Sequence, residues 1–378
     1  MKARIKKTFF RTMLFLNISC VILLILSDLA TIANPTAWWP IALLGVVFPL
    51  LLTATFIFVI FWLLVKSKRV FISLMAILIS LPNIITTFGF NNAAAFKQTK
   101  NPDALRVLTW NVALMNYTEV DTVKAIKNNA VIFKKLREAD ADIICLQEFF
   151  SAVIPGNHYN LMDSIARTMN YPYHYFSLDN PKWDSKFYNG SIIFSRYKIV
   201  DTQKIVYPKT FIGSIIKTGI LVNGDTIDVF TTRLQSVKFK SKEYKQLNAI
   251  KTGSESAFKG SKNIVQKLRA GYRSRIEQVM MAKKFIEESK RPVIFTGDLN
   301  DVPVSYTYST LKNNMNDAWV KKGYGLGKTF KYISPTLRID HIFFNDAFKA
   351  TQVKRIFSSD ESDHYGIIAD LFLIKKGT

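Results

Sequence analysis

Cysteine is almost missing: the 378 residues hold two, Cys20 and Cys145. A disulfide framework and a thiolate metal cluster are both excluded. That scarcity does not place the chain in a reducing compartment, because a domain of roughly 280 residues buries enough apolar surface without cross-links. Acid is scarce as well, 28 Asp/Glu against 51 Lys/Arg, for a formal charge of +23. Ahead of residue 97 the sole acid is Asp28, facing eight basic residues; beyond it 43 basic and 27 acidic residues leave a surplus of 16. Such a surface favours anionic partners: nucleic acid, phospholipid headgroups or other phosphate esters. The plain alternative is a basic, well-solvated surface.

Apolar residues are unevenly spread. Up to Phe90 they run almost without interruption, whereas from Asn91 onward they alternate with charges and turn residues. Three runs, 14–32, 38–65 and 70–89, each approach or exceed the roughly 20 residues needed to cross a bilayer core of about 30 Å. They predict three transmembrane helices over residues 1–90, with Trp38 and Trp39 suited to the headgroup level. The basic start of the first run also permits a cleaved signal peptide, but no small-residue cleavage site follows it and two further runs come at once. Lys2, Arg4, Lys6, Lys7 and Arg11 precede the first run, and Lys66, Lys68 and Arg69 separate the second and third. By the positive-inside rule this puts the N-terminus in the cytoplasm and everything after residue 90 outside the cytoplasmic membrane, the periplasmic side. A re-entrant third run, which contains Pro82 and Asn83, would reverse that placement.

Residues 91–104 read as a polar linker and 105–378 as one mixed α/β domain. Strand patterns occur at 105–112, 142–146, 191–194, 198–206, 226–232, 293–296, 339–344 and 367–373. Val123, Ile126, Ala130, Phe133 and Leu136 recur at helical spacing. Two packed sheets with helices outside are expected. Between Ser236 and Arg275 there are 11 Lys/Arg against Glu243 and Glu255. This is either an arm for a polyanion or, since Ile264, Leu268, Tyr272, Ile276, Val279 and Met280 recur at three and four residues, an amphipathic helix with a wet basic face.

Polar clusters end several of these strands: Trp110-Asn111, Gln147-Glu148, Asp298 to Asn300, Arg338 to His341, and Ser362 to His364. Carboxylates, carboxamides and one histidine beside an acid suit a hard, oxygen-liganded cation with a general acid or base for water. Taken singly, Glu148 could be a strand-end surface charge, Asp298 and Asn300 a turn, and His341 a packed core residue. His158 and His174 show no carboxylate at ligand spacing and read as structural or exposed.

The segments VLTWNV, DIICLQEF, NGSIIFSR, FTTRLQS, VIFTGDLND, RIDHIFF and SDHYGI, in this order across about residues 105–375, resemble the signature set of the endonuclease/exonuclease/phosphatase superfamily, typified by deoxyribonuclease I. The resemblance implies a two-sheet sandwich flanked by helices and a phosphoester hydrolase using Mg²⁺ or Mn²⁺. Glu148 would be the principal metal ligand, with Asn111 beside it and Asp363 near or on the ion. His364, held by Asp340, would be the general base or would stabilise the scissile phosphate. Asp298 would orient the water, and Asn300, Arg233 and Asn189 would contact phosphate oxygens. One departure stands out, because many relatives carry histidine where this chain has Arg233. Arginine clamps a phosphate bidentately but exchanges no proton at neutral pH. Three functions follow as expectations: a membrane-anchored phosphodiesterase acting on lipid headgroups, a nuclease for extracytoplasmic DNA or RNA, or a non-catalytic binding protein on this fold. No protein partner is inferable.

Overall fold

The computed structural model describes residues 2–91, 96–157, 159–208, 213–237, 257–332 and 334–374, with the side chains of 2, 3 and 257–265 left aside. His158, part of the linker and most of the basic stretch before the long helix lie outside the described residues.

The apolar region forms five helices: α1 (Lys2–Asp28), α2 (Trp39–Val46), α3 (Phe48–Leu64), α4 (Val70–Ile79) and α5 (Leu81–Thr87). Arg4–Thr31 is one continuous helix long and apolar enough to cross a membrane. The second and third runs are bent pairs, by 65° and 61°, and add two more candidates only if each pair counts as one span. The expectation of three uninterrupted spans is corrected to that extent. Pro49 and Pro82 are the reason. Each stands second in its helix, α3 and α5, where its ring crowds the carbonyl four residues back and stops a continuous helix. Polar side chains turn inward in this bundle: Asn17 donates to Ser73 at 2.7 Å and accepts the Trp62 indole N–H at 2.9 Å. Phe15, Leu64 and Phe71 are exposed on its outside.

Beyond it lie β1 (Gly89–Phe90), β2 (Leu105–Asn111), α6 (Thr122–Ala139), β3 (Ile143–Ala152), α7 (Leu161–Thr168), β4 (Tyr173–Phe176), β5 (Asn180–Lys182), β6 (Phe187–Ser195), β7 (Ile199–Val206), β8 (Ser214–Val222) and β9 (Asp225–Arg233). The chain continues through α8 (Ala257–Glu287), β10 (Val293–Asp298), α9 (Tyr306–Lys312), β11 (Asn316–Asp317), α10 (Ala318–Lys322), β12 (Tyr324–Gly325), β13 (Asp340–Phe344), β14 (Phe348–Ile356) and β15 (Gly366–Leu373). A six-stranded sheet runs β11-β13-β10-β9-β8-β7, and a seven-stranded sheet runs β14-β15-β2-β3-β6-β4 with β5 also on β6. The short β1 pairs with β12, fastening the end of the apolar region to the domain.

The period-two alternation of the strands sorts side chains into layers. Leu105 and Val107 of β2 and Cys145 of β3 point between the sheets, against Ile216, Val229, Ile294 and Ile342. Leu108, Trp110 and Leu146 point outward to Ile132 and Leu136 of α6 and Ile165 of α7. Phe230, Phe295 and Phe343 pack on Val279, Ala282 and Phe285 of α8 and on Tyr308 of α9. The sandwich is therefore covered by helices on both faces, as expected. The buried stripe of α6 differs from the predicted one. Asn128, Ile132, Leu136 and Ala139 face the sheet, while Val123 and Ile126 are 75% and 69% exposed.

Candidate active site

The two parallel pairs, β2 with β3 and β9 with β10, end at the same edge of the sandwich, where the antiparallel β13 and β15 begin. Five strand ends therefore meet there, beside the bulge at which β3 leaves β2 and runs on along β6. The inward row that is apolar at Leu105 and Val107 becomes Thr109 and Asn111 at this edge. Gln147 donates to Thr109 of the neighbouring β2 at 3.0 Å and, across the gap, to Thr231 of β9 at 2.8 Å. The core thus changes from apolar to polar where the sheets open.

Asp298, fully buried at the end of β10, is the hub. Its Oδ1 accepts the Asn300 backbone N–H at 2.9 Å, and its Oδ2 accepts the side-chain amides of Asn300 and Asn111 at 2.9 and 3.0 Å. Arg233 Nε and His364 Nε2 lie 3.7 and 3.9 Å from the same oxygen. Burial pushes the Asp298 carboxyl up to about 6, opposed by the charge of His364 and reinforced by Asp340. The strand can end this way because residue 297 is glycine: a Cβ there would collide with the Thr232 carbonyl.

Glu148 sits in a β-bulge, where the β3–β6 register shifts between Leu146 and Phe149, and its φ is +50°. A bulge re-aims a side chain at the cost of local strain. Here it turns the carboxylate to Asn111 Nδ2 at 3.1 Å and Arg233 Nε at 2.7 Å. Asn300 also has φ +50°. Its amide donates to the Leu234 carbonyl at 2.9 Å, and its own carbonyl accepts the Arg275 guanidinium.

His364 Nδ1 is 2.9 Å from Asp340 Oδ2, and the Phe330 ring meets the imidazole edge-on at 5.1 Å. Burial disfavours the imidazolium, but Asp340 and Asp298 outweigh it and push His364 up to about 10. The pair therefore holds a charged imidazole at neutral pH, the form that stabilises anions and donates protons. His341 is the packed residue that was expected. It lies 3.2 Å from Asp317, and burial lowers its pKa. His174 is half-buried against Phe194, its pKa likewise lowered by burial.

The structure thus gathers Asn111, Glu148, Arg233, Asp298, Asn300, Asp340 and His364. It does not join the Asp363 carboxylate to Glu148 or Asn111 among the described contacts; Asp363 takes part through its carbonyl, which accepts Lys331 N–H at 2.9 Å. Asn189 lies opposite Phe150, two residues past Glu148. Sequence reasoning gave no role to Thr329, whose hydroxyl accepts the N–H groups of Ile339 and Asp340 at 2.9 and 3.1 Å, nor to Phe330 or Arg338. Thr329 and Phe330 lie in a loop without a pattern of its own.

The donor set suits a hard divalent cation. Oxygen ligands predominate, and ligand atoms of Asp298, Asp340 and His364 come within 4.8 Å of one another, with Glu148 and Asn111 adjoining through Asp298 and Arg233.

No curated protein matches the chain. A family profile described as a domain of unknown function (DUF8431) matches residues 7–87. Among solved structures, an endonuclease/exonuclease/phosphatase from Beutenbergia cavernae DSM 12333 is similar over 72% of each chain at 20% identity and TM-score 0.52, a likeness of fold. The human Nocturnin catalytic domain with bound sulfate aligns over 72% of this chain and 94% of that one, at 16% identity and TM-score 0.49. An endonuclease/exonuclease/phosphatase family protein from Bacteroides thetaiotaomicron gives 72%, 98%, 18% and 0.48 for the same quantities. The profile of the endonuclease/exonuclease/phosphatase family matches residues 108–364, a span that contains every residue of the assembled site, and the chain belongs to that family.

Proposed function

We propose that the protein is a membrane-anchored, divalent-metal-dependent phosphodiesterase that hydrolyses lipid-headgroup phosphodiesters on the outer side of the cytoplasmic membrane. The observation that carries the lipid assignment is where the apolar helices meet the domain. Val304 packs with Leu24, Ala30, Phe48 and Ala76, and it is four residues from Asn300, a reach of at most roughly 14 Å. Ala30 stands just before the connection between the first and second apolar runs, residues 33–37, which carries no Lys or Arg, and Phe48 stands at the bend inside the second run. The positive-inside rule puts that connection outside. A site so close to the ends of membrane helices stands at headgroup level.

Glu148, Asn111 and Asp298 would hold the cation. When bound, the ion supplies positive charge for the phosphate oxygens and for the departing oxygen. The protein's own groups divide the rest. Asp298 accepts a hydrogen bond from the attacking water and orients it toward phosphorus. Arg233 binds a non-bridging oxygen, and the Asn300 amide binds another by exchanging one of its two bonds, to Leu234 or to Asp298, for the phosphate. The His364 imidazolium, fixed by Asp340, stabilises the charge that builds on the pentacovalent phosphorus and can pass its proton to the leaving oxygen as the P–O bond breaks, the proton released by the attacking water restoring the imidazolium at the end of the cycle. Arg233 cannot take that last role, so proton delivery falls to His364 or to water.

The test is hydrolysis by the full chain in vesicles with Mg²⁺ or Mn²⁺, across sphingomyelin, glycerophospholipids, phosphoinositides, plasmid DNA, RNA and a bis-aryl phosphodiester. Release of phosphorylated headgroup, lost in Glu148→Ala and His364→Ala, is expected. Rapid cleavage of DNA with no headgroup release from any lipid would overturn the lipid reading. The surplus of 16 positive charges after residue 96 favours a nuclease as the second reading. A nuclease using that surface would lose affinity steeply with salt.

A further inference from the structure

The apolar helices meet the catalytic domain next to two site segments. On one side is the loop after Asn300. At Gly45 of α2 a Cβ would run into the Val304 carbonyl, so the helix backbone itself touches the loop. Val46 packs on the cluster of Val302, Phe330, Leu337 and Ile339. On the other side is Arg338, two residues before Asp340 and wholly buried. Its guanidinium donates to the carbonyls of Thr86 at 2.7 Å and Thr87 at 3.2 Å. These end α5, and such carbonyls have no partner within their own helix and carry the negative end of its dipole. Behind it, Asp317 Oδ2 lies 3.5 Å away. Burial alone would raise the Asp317 pKa, but Arg338 and His341 hold it below the usual carboxylate range. Asp317 therefore faces Arg338 as a charge.

The two sides are tied to each other. Leu299 N–H donates to the Ile339 carbonyl at 2.8 Å, and Asp298 and Asp340 are register partners across β10 and β13.

We propose that Arg338 is a positioning residue through which the apolar helices hold Asp340 and the Asp298–Asn300 turn in register, making the helical region a working part of the catalytic machinery as well as an anchor. This rests on the assignment of His364, Asp340 and Asp298 as the catalytic groups. Arg338 itself touches no reacting atom. Its planar fork matches two successive carbonyls and a carboxylate at once, which a lysine ammonium does not. Loss of the fork frees the residue before Ile339 and lets Asp340 shift against His364, and misplacement on the scale of 1 Å costs about a hundredfold in rate.

The experiment uses the full chain in nanodiscs with a soluble bis-aryl phosphodiester, so that approach to lipid does not enter KM. Arg338→Met breaks the clamp from the domain side, and Gly45→Leu pushes on Val304 from the helix side. Arg106→Met is the control: Arg106 is equally buried and paired with Asp370 at 2.7 Å, at the opposite end of β2 from Asn111. Per folded molecule, kcat is expected to fall tenfold or more in Arg338→Met and Gly45→Leu, with KM within threefold of wild type. Arg338→Lys should recover part of that loss, and Arg106→Met should lower the melting temperature while keeping kcat. Amide exchange at residues 299–304 and 339–341 should speed up in the first two variants and stay unchanged at 143–147. A kcat within twofold of wild type in both variants, or an equal fall in Arg106→Met, overturns the proposal. If the wild type hydrolyses none of the substrates, the functional assignment fails instead. The exchange measurement then decides the coupling alone, and unchanged exchange at 339–341 sinks it.

Discussion

His364 Nδ1 and Asp340 Oδ2 stand 2.9 Å apart, joining the start of β13 in one sheet to the loop leading into β15 in the other. The Trp110 indole N–H, 3.0 Å from the His364 carbonyl, fixes the backbone under the imidazole. The ring is therefore held from both sides, and its charge depends on the carboxylate. Asp340→Asn keeps the size of the side chain but removes that charge. Activity on a phosphodiester should fall on the order of a hundredfold or more, with substrate KM little changed, as steady-state kinetics would show. An equal rise in KM would mean that Asp340 shapes binding rather than the reaction.

The same pair makes stability depend on pH with a definite sign. His364 is pushed up to about 10 from an ordinary 6.5. A group raised in the folded state contributes its stability in full below 6.5 and loses it as pH climbs through about 10. Asp298, raised from 3.8 to about 6, acts in the same direction at lower pH: its contribution fades as pH rises through that interval. Melting temperature should thus fall between pH 6 and pH 10 in the wild type, and the slope should flatten in His364→Gln. An unchanged slope in that variant would place the titration elsewhere.

Arg233 bridges Glu148 at 2.7 Å and approaches Asp298 at 3.7 Å. Removing it leaves two carboxylates facing a dianionic transition state with less neutralising charge. Arg233→Ala should lower kcat/KM about tenfold or more, and Arg233→Lys should recover little, because the guanidinium fork is what spans two acceptors. Arg233→His, in contrast, restores a group able to exchange a proton. It should help most with substrates whose leaving oxygen is basic, so a leaving-group series on aryl phosphodiesters separates the charge role from the acid role.

Gly297 offers a test of the scaffold itself. With the Thr232 carbonyl where a Cβ would stand, Gly297→Ala forces β10 away from β9. Overpacking of this kind costs about 1–3 kcal/mol, readable by denaturant unfolding, and it acts one residue from Asp298. Activity should drop in parallel, since the displaced strand carries the hub of the site.

Several of these features were legible in the sequence for a physical reason. Strands β2, β3 and β10 are buried on both faces, so their apolar runs stand out, and each run gives way to polar residues at the open edge. That change marks Asn111, Glu148 and Asp298 as polar strand-end residues, and the ordered family-like segments, not any one position, single them and Asp340 out as candidates. The strand β14 was not legible, because only Phe348 and Ala350 are buried, Lys349 and Thr351 are exposed, and the half-buried stretch from Gln352 to Ile356 includes Lys354 and Arg355 and matches the polarity of a loop. The predicted stripe of α6 differs because burial begins only at Asn128, and Val123 and Ile126 in the first turns stay exposed although apolar. Arg338 could be seen as one member of a strand-end cluster, but its partners, Thr86 and Thr87, are some 250 residues away in sequence. No local pattern records a contact of that range.

The same distant contact bears on topology. If α5 ends on the outer side of the membrane, Arg338 and the site it supports are outside as well; if the third apolar run turns back, both face the cytoplasm. The two native cysteines leave this easy to measure. Cys145 is fully buried and Cys20 lies within α1, so a thiol placed at the exposed Asn101 reports almost alone. Asn101→Cys in spheroplasts should react with a membrane-impermeant maleimide without permeabilisation, whereas Ser67→Cys, between the second and third runs, should react only after it. The five basic residues before the first run and the three between the second and third predict this pattern. The reverse labelling would put the catalytic domain in the cytoplasm and remove the extracytoplasmic placement, while leaving the clamp between Arg338 and α5 untouched.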